Sequence, residues 1–319
     1  MTEPAAAPAW KSNTAFDSSG IQRAWDSTSL GAFKACPRKY QLSIREALRP
    51  VERSPDLTWG ILIHKTSEAY HIARAQGAEH EEALRAGIAE VFDTSWTPEL
   101  LRADERKKSR STLLRAAVWY LDWLENDPLE TVILANGKPA TELSFRMQLP
   151  ATTPSGEPYL LCGHIDRLAR DASGTYVVDI KSTKSTLSSY FFRKFNPHNQ
   201  MSLYTIGAKV LYTDKMQGVM IDGVQAAVGF NRFMRAEALR HEEQLEEWLI
   251  DTIWWIKLAE RLAQDRGDAP WPQNESACHT YGICPFAEPI CTERSVHRPA
   301  QVRMNFERRI WDPLESREV

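Results

Sequence analysis

The 319-residue sequence has no apolar run approaching the roughly 20 residues that a membrane-spanning helix needs, so no membrane partner is expected. It also has little excess of either charge. The net charge is −3 and the pI is about 6.3, so a nucleic-acid partner must be contacted by a local basic patch. The N-terminus, MTEPAAAPAWKSNTAFDSSG, lacks a basic start followed by an apolar segment, which favours a cytoplasmic protein. There are only five cysteines, and in a reducing compartment they are not expected to pair as disulfides.

The order of sequence patterns predicts one α/β domain, residues 26–295, between two tails. Residues 1–25 have the Ala, Pro and Ser content of a disordered lead-in, and residues 296–319 form a C-terminal tail. The domain itself consists of a helical part (26–135), a sheet core that carries one helix (136–235), a long amphipathic helix (236–270) and a cysteine-rich cap (271–295).

The segment GHIDRLARDASGTYVVDIKSTK predicts a hairpin with the four-residue loop DASG. If Arg170 pairs with Thr175, then Asp166 lies directly opposite Asp179. Lys181 is two residues beyond Asp179 and therefore projects from the same face. A loop of a different length would shift this register.

Two carboxylates placed opposite each other destabilise a sheet unless a cation compensates their charge. Mg²⁺ is commonly held by one or two carboxylates, and a lysine ammonium beside it can stabilise charge on a phosphate. The alternative is a surface hairpin on which an Asp and a Lys form an ordinary salt bridge. Spacing alone favours neither interpretation.

The hairpin resembles the second and third motifs of the PD-(D/E)XK nuclease superfamily, in GHIDRL and VVDIKST. The resemblance implies that Asp166, Asp179 and the backbone carbonyl of Ile180 bind Mg²⁺ or Mn²⁺. It implies that Lys181 is the catalytic lysine, with Asp166 and Asp179 also part of the catalytic set. The implied fold is a restriction-endonuclease-like core, a mixed central sheet flanked by helices, with a helical N-terminal part.

Two further segments resemble the RecB-like branch of this superfamily. WGILIHKTSEAY matches a helix with a G-x-x-x-H pattern, which makes His64 a further metal ligand. QMSLYTIG resembles a Q-x-x-x-Y motif, which places Gln200 and Tyr204 four residues apart on one helix face, at the catalytic site. Taken singly, His64 could belong to a solvated polar stripe, and Gln200 and Tyr204 could be an ordinary surface pair.

Four of the cysteines have the arrangement of ligands. Cys278, Cys284 and Cys291 are separated by five and six residues in a Pro- and Gly-bearing loop, and Cys36 lies far upstream in CPRKYQL. The spacing is weak as a zinc signature, but four thiolates also suit an iron–sulfur cluster. The layout resembles the nuclease domain of AddB and CRISPR-associated RecB-like exonucleases, which implies a [4Fe–4S] cluster in the C-terminal cap. Cys162 is interpreted as a core residue.

Two basic segments are candidates for contact with DNA. Arg106, Lys107 and Lys108 lie in RADERKKSRSTLLR, and Arg193 and Lys194 follow aromatic residues in YFFRKF. Such residues can neutralise phosphates, and the aromatic rings can stack on bases of a single strand. A solvated helix face and aromatic core packing are the competing interpretations.

Together these features predict a metal-dependent DNA nuclease, most simply an exonuclease in replication, recombination or repair. Single-stranded DNA or DNA ends are the expected substrates, and a helicase or recombinase is a possible partner. The rival interpretations are a non-catalytic DNA-binding or complex-stabilising module that keeps the fold, and a protein whose thiolates hold zinc.

Overall fold

The structure is a computed structural model that describes residues 9–104, 108–212, 216–227, 229–280 and 282–315. Its α-helices are α1 (Ser27–Ala35), α2 (Pro37–Tyr40), α3 (Pro55–Ala75), α4 (His80–Thr94), α5 (Pro98–Arg102), α6 (Arg110–Trp123), α7 (Ser189–Arg193), α8 (Asn199–Leu211), α9 (Glu242–Arg266) and α10 (Arg298–Asn305). Its strands are β1 (Ala24–Trp25), β2 (Leu48–Pro50), β3 (Glu130–Thr131), β4 (Thr141–Thr152), β5 (Pro158–Arg170), β6 (Thr175–Thr183), β7 (Met216–Ala226), β8 (Asn231–Leu239) and β9 (Phe306–Arg308). None of the described helices is both long enough and apolar enough to cross a membrane.

The described part of the chain divides into two compact units. The first unit contains the described residues of 9–52, 146–163 and 242–315, and the second contains those of 53–145 and 164–241. The first unit therefore combines described segments from the N-terminal and C-terminal parts of the sequence, and the second holds the α3–α6 helices and most of the sheet.

In the second unit, a mixed sheet is flanked by helices, as the sequence predicts. Strand β5 pairs antiparallel with β3 and β6, β6 pairs parallel with β7, and β7 pairs antiparallel with β8. Helix α8 forms the crossover between the parallel strands β6 and β7 and packs against β7. Parallel neighbours need such a crossover because a tight hairpin can join only antiparallel strands.

Helices α3, α4 and α6 bury their apolar faces in a core that they share with the sheet. Trp59 and Ile63 of α3 and Tyr120 of α6 pack there with Ile180 of β6 and Val224 of β7, and all five are at most 5% exposed. Full burial of each such side chain stabilises the fold by about 1.5–3 kcal/mol. This core fixes α3 against the end of β6 that carries the predicted site.

In the first unit, the described part of the predicted N-terminal tail is packed. Ala15, Ala24 and Trp25 are at most 1% exposed, and β1 pairs parallel with residues 160–161 of β5. The Trp25 ring stacks on Tyr40 with centroids 5.5 Å apart. The Ala- and Pro-rich composition suggests disorder, but these long-range contacts order residues 9–25.

The predicted C-terminal tail also has regular structure over residues 298–308, which form α10 and β9. Strand β9 pairs antiparallel with β2, and Phe306 packs with Leu48, Phe286 and Ile290 in a small core. The partner strand lies about 260 positions away in the sequence, so no local pattern indicates this pairing.

Candidate active site

The β5–β6 hairpin has the register that the sequence predicts. Arg170 pairs with Thr175, and the ladder continues to the pair Arg167 and Val178. Asp166 and Asp179 occupy the next position on each strand. The loop is stabilised by the Asp171 carboxylate, which accepts hydrogen bonds from the Ser173 and Gly174 amides.

Asp179 and Lys181 form the centre of the site. The Lys181 ammonium donates a hydrogen bond to Oδ1 of Asp179 at 3.0 Å and lies 2.8 Å from Oδ2. The Asp179 side chain is 1% exposed. Burial raises its pKa above the usual range, Lys181 opposes this effect, and the neighbouring Asp166 adds to it. A buried carboxylate near a second carboxylate therefore requires the adjacent ammonium.

His64 connects α3 to both strands of the hairpin. Its Nε2 lies 2.8 Å from the carbonyl oxygen of Ile180, and its Nδ1 lies 2.9 Å from Oδ2 of Asp166. Burial, the largest influence, lowers the pKa of His64, but the carboxylates of Asp166 and Asp179 together outweigh it, so the pKa is raised above its ordinary value. Both ring nitrogens face acceptors, so a protonated ring donates on both sides.

Gln200 and Tyr204 extend the site from α8. The Lys181 ammonium donates to Oε1 of Gln200 at 2.8 Å, and Nε2 of Gln200 donates to the Tyr204 hydroxyl at 2.9 Å. Because its amide is bonded at both ends, Gln200 is fixed with its oxygen toward Lys181. The structure thus brings together His64, Asp166, Asp179, Ile180, Lys181, Gln200 and Tyr204.

The donor set suits a divalent ion: two carboxylates, one imidazole and one backbone carbonyl are ligands that Mg²⁺ or Mn²⁺ accepts. The buried Oδ2 of Asp179 accepts no hydrogen bond of good geometry within the described part of the chain, although Lys181 lies beside it. In the described ranges, no three His, Cys, Asp or Glu side chains are grouped as ligands of one ion. The raised pKa of His64 opposes metal binding, because an imidazole must be neutral to act as a ligand.

A buried network lies directly behind the site. Arg167, the residue after Asp166, is 2.6 Å from Nδ1 of His71, two helical turns after His64 on α3. Arg235 bonds to the carboxylates of both Asp127 and Asp222. No local sequence pattern indicates this network because its members are drawn from distant elements.

The segment before α8 lies close to Lys181. His198 precedes α8, and its pKa is lowered to about 4 by burial and by the charges of Lys181 and Lys194. Lys194 lies 4.0 Å above the Phe191 ring, and Arg193 and Lys194 are exposed. Sequence reasoning did not select His198, although it lies two residues before Gln200.

In the other basic segment, only Lys108 of the three predicted residues is described, and it is buried. Arg106 and Lys107 lie outside the described residues. Lys108 is only 4% exposed, donates to the Ser182 hydroxyl at 2.6 Å and lies 4.9 Å above the Trp59 ring. A side chain buried in this way cannot contact a DNA backbone on the surface.

In the first unit, Cys36, Cys278, Cys284 and Cys291 line one cavity of about 20 Å³. All four are free thiols. Burial raises the pKa of Cys291, Arg38 opposes this, and the other three cysteines add to the rise. Four soft donors around one cavity fit a thiolate-bound metal or cluster chemically, although the described residues show no ligand group closed around an ion.

A family profile described as the PD-(D/E)XK nuclease superfamily matches residues 25–292. No curated protein matches the chain. The crystal structure of SSO0001 is 14% identical, with a TM-score of 0.24 over 59% of this chain and 74% of that chain, and similarity at this level supports no further conclusion. The profile spans most of the sequence, including every residue of the site described above. The chain belongs to the PD-(D/E)XK nuclease superfamily.

Proposed function

We propose that the protein is a metal-dependent DNA exonuclease of the RecB-like branch, acting in replication, recombination or repair. The proposal rests on two sets of contacts in one site. Lys181 contacts Asp179 at 3.0 Å. His64 contacts Asp166 at 2.9 Å and the carbonyl oxygen of Ile180 at 2.8 Å. Superfamily membership indicates a nuclease, for which DNA is the expected substrate.

In this proposal, His64, Asp166, Asp179 and the carbonyl of Ile180 hold Mg²⁺ or Mn²⁺. When bound, the ion polarises the scissile phosphate and lowers the pKa of water. The Lys181 ammonium, 23% exposed as a side chain, offsets negative charge that develops on the phosphate. Gln200, held by Tyr204, keeps the ammonium directed into the site.

The assignment to an iron–sulfur member of the branch is part of the same proposal. It is supported by the four cysteines around one cavity, which match the layout of the AddB nuclease domain and of the CRISPR-associated exonucleases. A helicase or recombinase partner is proposed on this resemblance alone. The cytoplasmic location expected from the sequence is kept as part of the proposal.

The test is digestion of end-labelled single- and double-stranded DNA with Mg²⁺ or Mn²⁺, each with and without EDTA. We expect metal-dependent release of labelled product from linear DNA and none from closed circular single strands. Asp179→Asn and Lys181→Ala are expected to reduce the rate at least about 100-fold, with unchanged circular dichroism.

Asp171→Asn is the matched control because Asp171 lies on the same hairpin and an asparagine retains the oxygen that accepts the loop hydrogen bonds. It is expected to cleave as the wild type does. Activity that survives both Asp179→Asn and Lys181→Ala contradicts the assignment. Wild-type protein that binds DNA but never cleaves it favours the non-catalytic module.

A further inference from the structure

One stripe of α3 leads from the candidate active site to the solvent. Leu57, Ile61, His64 and Glu68 follow one another at spacings of four, three and four residues. Residues so spaced share one face of a helix. His64 contacts Asp166, and Glu68 lines the small cavity beside it. The same stripe therefore continues past the site to Leu57 and Ile61.

Leu57 and Ile61 are not part of the protein core. They are 60% and 50% exposed, whereas Trp59 and Ile63 on the opposite side of α3 are fully buried. Single exposed apolar residues are common and need no explanation. Here two neighbours on one face continue a stripe whose next member, His64, belongs to the candidate active site.

Their distance from His64 matches the spacing of nucleotides. At a rise of 1.5 Å per residue, Ile61 lies about 4.5 Å and Leu57 about 10.5 Å from His64 along the helix axis. Successive phosphates of one strand are separated by about 3.4 Å along a duplex axis, and by more in an extended strand. A strand with one phosphate at His64 can therefore place the next one to three nucleotides along the stripe.

Two lysines lie near Leu57 and Ile61 along the chain or in space. Lys65, one turn beyond Ile61, is exposed. The ammonium of Lys184 lies 2.8 Å from the carboxylate of Asp56, the residue before Leu57, so its charge is balanced within the protein, and its side chain is 48% exposed. Lys65 can therefore neutralise a phosphate directly, whereas Lys184 does so by exchanging Asp56 for the phosphate.

We propose that Leu57 and Ile61 bind unpaired bases next to the cleaved phosphate and so make the protein prefer single-stranded over duplex DNA. In a duplex the bases are stacked and paired, so an apolar surface gains little from them, whereas unstacked bases offer apolar faces. This inference rests on the proposed function, which places the strand at His64.

The test is the affinity of the double variant Leu57→Gln/Ile61→Gln for a fluorescent single-stranded oligonucleotide and for its duplex, both in EDTA. We expect the Kd for the single strand to rise about tenfold, because apolar contact area is lost, and the Kd for the duplex to stay within about twofold. Glutamine and leucine have similar helix propensities, so α3 is expected to remain folded.

Two controls separate base contact from general effects. Ile250→Gln removes an apolar residue that is 69% exposed on α9 and is expected to change neither affinity. Leu57→Met/Ile61→Met keeps the apolar surface and is expected to retain single-strand affinity.

The proposal is overturned if Leu57→Gln/Ile61→Gln binds the single strand as tightly as the wild type does. It is also overturned if the variant loses affinity for the single strand and for the duplex by the same factor. The binding measurement does not depend on cleavage. The wild type could prefer single-stranded DNA, and the glutamine variant lose that preference, while the wild type cleaves neither substrate. That result supports this inference and contradicts the proposed nuclease activity.

Discussion

Lys181 lies in β6, and Lys108 contacts Ser182, the next residue of that strand. The two lysines differ in how their positive charge is compensated. The Lys181 ammonium contacts the carboxylate of Asp179, whereas the Lys108 ammonium contacts the neutral hydroxyl of Ser182 and the ring of Trp59. Burial lowers the pKa of Lys108 to about 8, and the charge of Asp56 only partly opposes this. Lys108 is therefore a buried cation without a directly bonded carboxylate among the described residues.

Lys108→Met is expected to stabilise the protein at pH 7. Below pH 8 the folded state keeps the buried charge, at a cost of about 3 kcal/mol for a pKa shift of this size. Loss of the hydrogen bond to Ser182 offsets about 1 kcal/mol of the gain. Urea unfolding at pH 7 should therefore give a free energy of unfolding about 2 kcal/mol higher in the variant than in the wild type.

The difference in free energy of unfolding between Lys108→Met and the wild type should become smaller as pH rises. Between pH 8 and the unfolded pKa near 10.4, the unfolded wild type binds more protons than the folded state, so its stability increases with pH relative to the variant. Lys65→Met, at an exposed position of α3, is the matched control and should show no such change. The account is contradicted if Lys108→Met is less stable than the wild type at pH 7. It is also contradicted if the difference in their free energies of unfolding does not change with pH.

At the scale of elements, the sequence predicts the helices, strands and turns that are determined by residues close together in the chain. The DASG loop sets the register of the β5–β6 hairpin, and Gln200 and Tyr204 share a face because they stand one turn apart on α8. The long helix α9 ends at Arg266, before Gly267, whose φ of 52° suits glycine. Most of the candidate site could be predicted because its residues fall on such elements.

The sequence predicts the helical part over residues 26–135 but not its internal breaks or the burial of its charged residues. Cys36 is extended, with φ −163°, between α1 and α2. Pro37 disfavours the helical conformation for the residue before it, and the thiol of Cys36 lines the cysteine cavity as a result. Likewise, Lys108 belongs to a basic run in the sequence, but burial against Trp59 depends on tertiary packing.

Two glycine substitutions in helices should have opposite effects on stability. A Cβ at Gly207 of α8 would lie 2.4 Å from the ring of Phe145, which is only 5% exposed, whereas a Cβ at Gly31 of α1 meets nothing within 4 Å. Gly207→Ala is expected to lower the free energy of unfolding by about 1–3 kcal/mol through overpacking. Gly31→Ala should raise it by about 0.5–1 kcal/mol, because alanine loses less entropy in a helix.

Urea unfolding monitored by circular dichroism measures both changes. Gly207→Ala/Phe145→Leu provides the control, since the smaller side chain removes the ring and should recover part of the lost stability. Equal stabilisation by Gly207→Ala and Gly31→Ala contradicts the close contact between α8 and Phe145.

At the scale of the whole molecule, the cysteine cavity and the candidate active site belong to different compact units. The four cysteines lie in the first unit and the catalytic residues in the second. A group bound by all four thiols closes a ring of 255 positions from Cys36 to Cys291 (291 − 36). Closing so long a ring restricts the unfolded chain and stabilises the fold. Such a group is therefore expected to stabilise the first unit and to take no part in phosphate hydrolysis.

Cys291→Ser tests this separation of roles. Wild-type protein purified without oxygen is expected to contain about four irons per chain and to show the broad visible absorption of a [4Fe–4S] cluster. Cys291→Ser should lose most of the iron and most of the visible absorption, because serine is a poor ligand for a cluster held by thiolates. Hydrogen exchange followed by mass spectrometry should then show faster exchange in the first unit, while the second unit, which has its own core, is protected as before.

Cys162→Ala is the matched control, because Cys162 is 1% exposed but lies in β5, where its thiol faces the carbonyl of Trp25. A colourless wild type that contains zinc contradicts the cluster while keeping a thiolate site, and iron retained in Cys291→Ser contradicts the choice of ligands. Both variants remove a thiol from the first unit, and only one of the two thiols lines the cavity. Loss of iron confined to Cys291→Ser therefore identifies ligation by that thiol rather than a general loss of folding.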